Sequence, residues 1–100
     1  MNTVDLKLRT RWMASVLKAI GNERRLLILH HLAEKERSVT ELVELLDVSP
    51  PAVSQHLARL RRADLIAPRR SRQTIHYSLR GAMPAELLGV LHKGCASGAG

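Results

Sequence analysis

Between Ser38 and Arg62 the chain reads "SVTELVELLDVSPPAVSQHLARLRR". Ser38 and Glu41 match the capping box S-x-x-E, in which the serine bonds the amide of the glutamate and the glutamate bonds that of the serine. Val39, Leu42, Val43 and Leu46 then recur at i, i+3, i+4 and i+7, the apolar stripe of a short amphipathic helix. Asp47-Val48-Ser49 breaks it. Proline suits a first helical turn, where amide hydrogens have no intrahelical partner, so Pro50 and Pro51 mark a new start. Ser49 is a good N-cap, and because Pro51 has no amide it must bond that of Ala52. A second helix is predicted from Pro50 to about Ala63. Two short helices joined by a three-residue turn make a helix-turn-helix.

The rest of the chain supplies what this unit packs against. "TRWMASVLKAIGNERRLLILHHLAEKE", residues 10–36, reads as two helices meeting at Gly21-Asn22. Met13, Val16, Leu17 and Ile20 repeat at helical spacing in the first. Asn22 caps the second, and Leu26, Leu29 and Leu32 form its apolar row, widened by Leu27 and Ile28. After the helix-turn-helix the period changes to two. Ile66 and then Ile75, Tyr77 and Leu79 predict a two-stranded hairpin over residues 65–79 around a polar turn at Arg70 to Gln73, with Pro68 admissible only on an edge strand. "PAELLGVLHK" predicts a last short helix begun by Pro84 and weakened by Gly89. The fold class is mainly α with a small β-hairpin, about five helices in one domain over residues 1–93. "GCASGAG", residues 94–100, is expected to be a flexible tail.

Charge is unevenly placed. The net charge is +7, and the stretch from Arg59 to Arg80 holds seven arginines against one acid, Asp64. The remainder is nearly balanced. A local basic cluster points to a polyanion such as nucleic acid, or else to a solvated basic face. Phe is absent and Trp and Tyr occur once each, so the core must come from Leu, Val, Ile and Ala, which favours helices. The one cysteine, Cys95, excludes an internal disulfide framework and fits a reducing compartment. No apolar run approaches ~18 residues, and the N-terminus has no signal-like apolar segment, so a cytoplasmic location is expected.

A helical wheel sorts the residues after Ser49. Val53, Leu57 and Leu60 face the core. Pro51, Gln55, Ala58 and Arg62 lie opposite, with Ser54 and Arg61 on one edge and Arg59 on the other. Ala58 lets the backbone approach a partner closely. Such a helix fits the major groove of DNA, where Gln pairs with adenine and Arg with guanine. Arg69, Arg70 and Arg72, near the tip of the hairpin, are placed to lie along phosphates or enter a minor groove.

Together, "LKAIGNERRLLIL", "SVTELVELLDVS", "VSQHLARLRRADLI" and "IHYSL" resemble the ArsR/SmtB family of bacterial winged helix-turn-helix repressors, over Leu17 to Leu79. The resemblance implies a homodimer joined by its first and last helices. Trp12, Met13, Val16, Leu87, Leu88 and Leu91 are the expected interface. It also implies operator DNA, with Ser54, Gln55 and His56 at the DNA and the wing arginines Arg69, Arg70 and Arg72 flanking; the wheel adds Arg59 and Arg62, and two such helices in a homodimer lead to the expectation of an inverted-repeat operator. His56 lies near the buried edge of the wheel, so it either contacts DNA or packs locally. Pro50 and Pro51 depart from the polar pair common in the family. They remove two amide donors that would otherwise face phosphate.

The family's signal sites are missing. Ser38 and Thr40 stand where arsenic- and lead-sensing members carry cysteines, and Gly81 and Met83 where zinc- and nickel-sensing members carry an acidic and a histidine ligand. The sulfide- and oxidant-sensing branch is the nearest in resemblance, but His30 replaces its first cysteine and Cys95 lies one residue out of register with its second. His30 and Cys95, with His31 and His92, are the candidate sensor residues. No metal or cofactor is expected. The alternative of a basic RNA-binding or ribosome-associated protein is disfavoured because base stacking needs aromatics. An enzyme is disfavoured because no nucleophile, base and pocket converge.

Overall fold

The computed structural model describes residues 2–96. Helix α1 spans Thr3–Ile20 and α2 Glu23–Glu34; a short strand β1, Arg37–Ser38, leads into α3, Val39–Leu46; α4 is Pro50–Arg62; β2, Ile66–Ser71, and β3, Thr74–Leu79, form the hairpin; and α5 is Met83–Gly94. Among the described residues no helix is long and apolar enough to cross a membrane.

Local chemistry sets most of these limits. Gly21 ends α1, and the Asn22 side chain accepts from the Arg25 amide at 3.0 Å to begin α2. The Arg25 guanidinium reaches back to the carbonyls of Ala19 and Lys18, 2.5 and 3.2 Å away, and so satisfies acceptors left open at the end of α1. The capping box of α3 is complete, both Ser38–Glu41 bonds being 3.2 Å. Asp47 closes α3 in the left-handed region at φ 53°, a conformation Asp tolerates better than most residues. Ser49 Oγ accepts from the Ala52 amide at 3.3 Å, so the cap reaches past both prolines.

Val53, Leu57 and Leu60 of α4 meet Ile28 and Leu29 of α2 and Leu42 of α3 in one core, all with at most 1% of their surface exposed. Truncating any of the leucines would open a cavity costing ~2–5 kcal/mol. The helix-turn-helix is therefore rigid where it carries the outward face of α4.

Several expectations change. The sheet has three strands, in the order β1-β3-β2, because Arg37 and Ser38 pair with Tyr77 and His76. Two residues are too few to leave a period in the sequence. Pro68 does lie on an edge strand, opposite Tyr77. The hairpin turn is tighter than expected, at Arg72-Gln73, with Arg72 at φ 59°. The first helix starts at Thr3, well before the apolar repeat, and every residue from Asn2 to Met13 is exposed. Asn2 caps it through the Asp5 amide. Gly94 belongs to α5, and helical winding continues through Cys95 and Ala96. The rest of the expected tail, 97–100, lies outside the described residues.

Candidate nucleic-acid interface

The capped, core-anchored α4 leaves Ser54, Gln55, Ala58, Arg61 and Arg62 exposed, in agreement with the wheel. His56 and Arg59 are half-buried on the flank that faces α2. The Pro50-Pro51 start presents no amide donors from those two positions, so polar contact along α4 must come from its side chains. The wing adjoins this face. Arg61 at the end of α4 and Arg70 of β2 line one groove with Pro68, Ile75 and Tyr77. Helix and wing thus form one basic surface.

The three wing arginines are not equivalent. Arg70 and Arg72 are exposed, and no ion pair is recorded for either among the described residues. Arg69 is clamped by Glu36, its Nε and Nη2 donating to the two carboxylate oxygens at 2.9 and 2.6 Å. That bidentate bond holds the Glu36 carboxyl below its ordinary pKa and raises that of Arg69. Arg69 is therefore engaged with the segment before β1, although its side chain remains more than half exposed. Glu36 gave no signal in the sequence because it lies 33 positions away from its partner.

His56 is neither purely a contact residue nor purely a packed one. Burial, and then the charges of Arg25 and Arg24, hold its pKa below the ordinary imidazole value. Burial and then the nearby Arg59 likewise lower that of Arg25.

Of the residues expected at a dimer interface, Val16 and Leu88 pack mainly into the core, with only 4% and 5% of their surface exposed. Leu87 is half-buried, and Trp12, Met13 and Leu91 are exposed. A shallow apolar hollow is lined by Trp12, Met13, Val16, Leu17, Met83 and Leu87, where α1 and α5 meet. Leu17, assigned by spacing to the core row, is 61% exposed and belongs to this face.

The candidate sensor residues are partly assembled. His92 Nε2 lies 3.2 Å from His30 Nδ1, bridging α5 and α2, and Cys95 lines the same hollow with Leu26, Leu88 and Leu91. His31 leans instead toward Glu34, at 3.6 Å. Ser38 is committed to its cap and Thr40 is exposed. Among the described residues no three His, Cys, Asp or Glu side chains are arranged to hold a metal ion.

The profile of the arsR family of bacterial regulatory proteins matches residues 22–67, which comprise α2, the helix-turn-helix and the start of the wing. The transcriptional activator HlyU of Vibrio cholerae is 40% identical over 93 residues, 93% of this chain and 86% of that protein. The chain belongs to the arsR family. A biofilm growth-associated repressor of Xylella fastidiosa, another relative, is 33% identical over 92% of this chain and 81% of its own length. The fold is also that of the family: the solution structure of Mb0332 from Mycobacterium bovis, described as a homodimeric winged helix-turn-helix DNA-binding domain, superimposes with a TM-score of 0.89 at 26% identity, covering 99% of this chain and 91% of that one.

Proposed function

We propose that this arsR-family regulator acts as a homodimeric repressor that binds an inverted-repeat operator. The observation that carries the reading is the continuous basic face in which Arg61 of α4 and Arg70 of the wing line one groove. The exposed row Gln55, Ala58 and Arg62 enters the major groove, with Gln55 and Arg62 reading base edges, while Arg70 and Arg72 follow the phosphates. The exposed apolar residues Trp12, Met13, Leu17, Met83 and Leu91 meet their counterparts across a two-fold axis. That pairing sets two α4 helices one DNA turn apart, ~34 Å.

The test is selection of duplexes from a random pool by the full chain, followed by binding measurements. An inverted repeat is expected. Arg62→Ala and Gln55→Ala should each reduce the preference for the selected duplex over random DNA by ~1–3 kcal/mol. Equal affinity for single-stranded RNA and the selected duplex would overturn the reading.

A further inference from the structure

Burial anchors only the first half of α5. Pro84 and Leu88 are its buried residues, and every described residue from Gly89 to Ala96 is exposed. Gly89 weakens the helix at the point where burial stops. The last turn is nevertheless tied to α2. His92 Nε2 lies 3.2 Å from Nδ1 of the half-buried His30, and the two rings meet edge to face with centroids 4.6 Å apart. Leu26, Leu88, Leu91 and Cys95 complete the hollow in which they meet.

That bond depends on protonation. Between two imidazole nitrogens, one must carry hydrogen and the other must offer a bare lone pair. Two neutral rings satisfy this, as do one neutral and one charged. Two imidazoliums set donor against donor and charge against charge, 3.2 Å apart. The neighbouring groups do not undo the conflict. On α2, His31 adds to the repulsion when charged; Glu34 opposes it, but from a side chain 66% exposed, where its charge is screened. On α5, Lys93 follows His92 and is a further cation. From this juxtaposition we propose that His30 and His92 form a proton-operated latch, which fastens the last turn of α5 to α2 while at least one ring is neutral and releases it in acid when both are charged.

The sign follows from linkage. In the docked form burial, and then His92 and His31, hold His30 below its ordinary 6.5, a value it regains once released into water. The released form therefore binds more protons. Docking is fully present above 6.5 and is lost as pH falls toward the lowered value, by up to about tenfold per pH unit for that one proton. Helix α5 also supplies Met83 and Leu87 to the apolar hollow it shares with α1. Its release loosens the face assigned above to the dimer, so acid weakens assembly and operator binding together. That consequence rests on the homodimer reading; the latch itself does not.

The test is NMR on the full chain from about pH 7.5 down to about pH 5, the range over which histidine changes charge. The contact between the two rings and the helical Cα shifts of residues 91–94 should both be lost in acid, with the midpoint at which His30 titrates. Light scattering should show the dimer weakening over the same range. His92→Gln carries both a donor and an acceptor and pairs with His30 in either charge state, so α5 should stay docked in acid. His30→Gln should behave alike. His31, His56 and His76 still titrate in both variants, so the difference from wild type isolates the pair. A wild-type α5 that stays docked in acid, or departs at a midpoint other than that of His30, would overturn the proposal whatever the variants do. So would release of His92→Gln in step with the wild type. A monomer at neutral pH would refute the α1–α5 dimer reading instead, and the wild-type titration would still decide the latch.

Discussion

Glu36 is the residue whose replacement should strengthen DNA binding. Its carboxylate holds the Arg69 guanidinium by two bonds of 2.9 and 2.6 Å. Glu36→Gln keeps the shape and one acceptor oxygen but removes the charge that makes the clamp strong. Arg69 is then released to a phosphate, and each protomer also loses one negative charge beside the DNA. Two added phosphate contacts per dimer should steepen the slope of log affinity against log salt by about 1.8. Between about 50 and 200 mM salt, the advantage of the variant over wild type should then shrink about twelvefold. Fluorescence anisotropy on selected and random duplexes across that range measures it. Both duplexes should gain alike, because the new contacts go to phosphate. The double variant Glu36→Gln with Arg69→Gln should return the slope to the wild-type value. An unchanged slope in the single variant, or weaker binding, would refute the idea that Glu36 withholds Arg69. Acid does not substitute for the mutation near neutrality. The Arg69 bond holds the Glu36 carboxyl below its ordinary value of 4.5. The clamp's contribution to stability is therefore fully present above that value and is lost only as pH falls through the lowered one.

Three further outcomes are expected. Trp12→Ser combined with Leu17→Ser should convert the dimer to a monomer in light scattering and weaken operator binding, while circular dichroism keeps the helical signature, because both side chains are exposed within the protomer; a stable dimer would refute the assignment of the α1–α5 face. Ser38→Ala should lower stability by ~0.5–2 kcal/mol in denaturant unfolding through loss of one half of the capping box, and an unchanged midpoint would show that the cap carries no energy. Zinc, nickel, cadmium, arsenite and haem at micromolar levels should change operator affinity by less than tenfold; a larger loss, abolished by His30→Ala or Cys95→Ser, would make the His30–His92–Cys95 hollow a sensor.

What the sequence determined by itself is nearly everything governed by neighbours within one helical turn. Ser38 with Glu41, Ser49 with Ala52, and Asn22 with Arg25 are each three residues apart. A cap of that span is decided locally, so the starts of α2, α3 and α4, the turn between α3 and α4 and the outward face of Gln55, Ala58 and Arg62 were legible, as was Pro68 on an edge, whereas the Asn2 cap of α1 was missed because no apolar repeat follows it directly. Only the tertiary structure decided which apolar residues the core takes and which stay exposed. Spacing is blind to that difference: Val16 and Leu17 are adjacent in one apolar repeat, yet 4% and 61% exposed. It also decided the third strand, where Arg37 and Ser38 find Tyr77 and His76. The clamp of Arg69 by Glu36 spans 33 positions and the His30–His92 contact 62. Charges and hydrogen bonds act through space within a few ångströms, and only the packing of helices says which distant residues come that close.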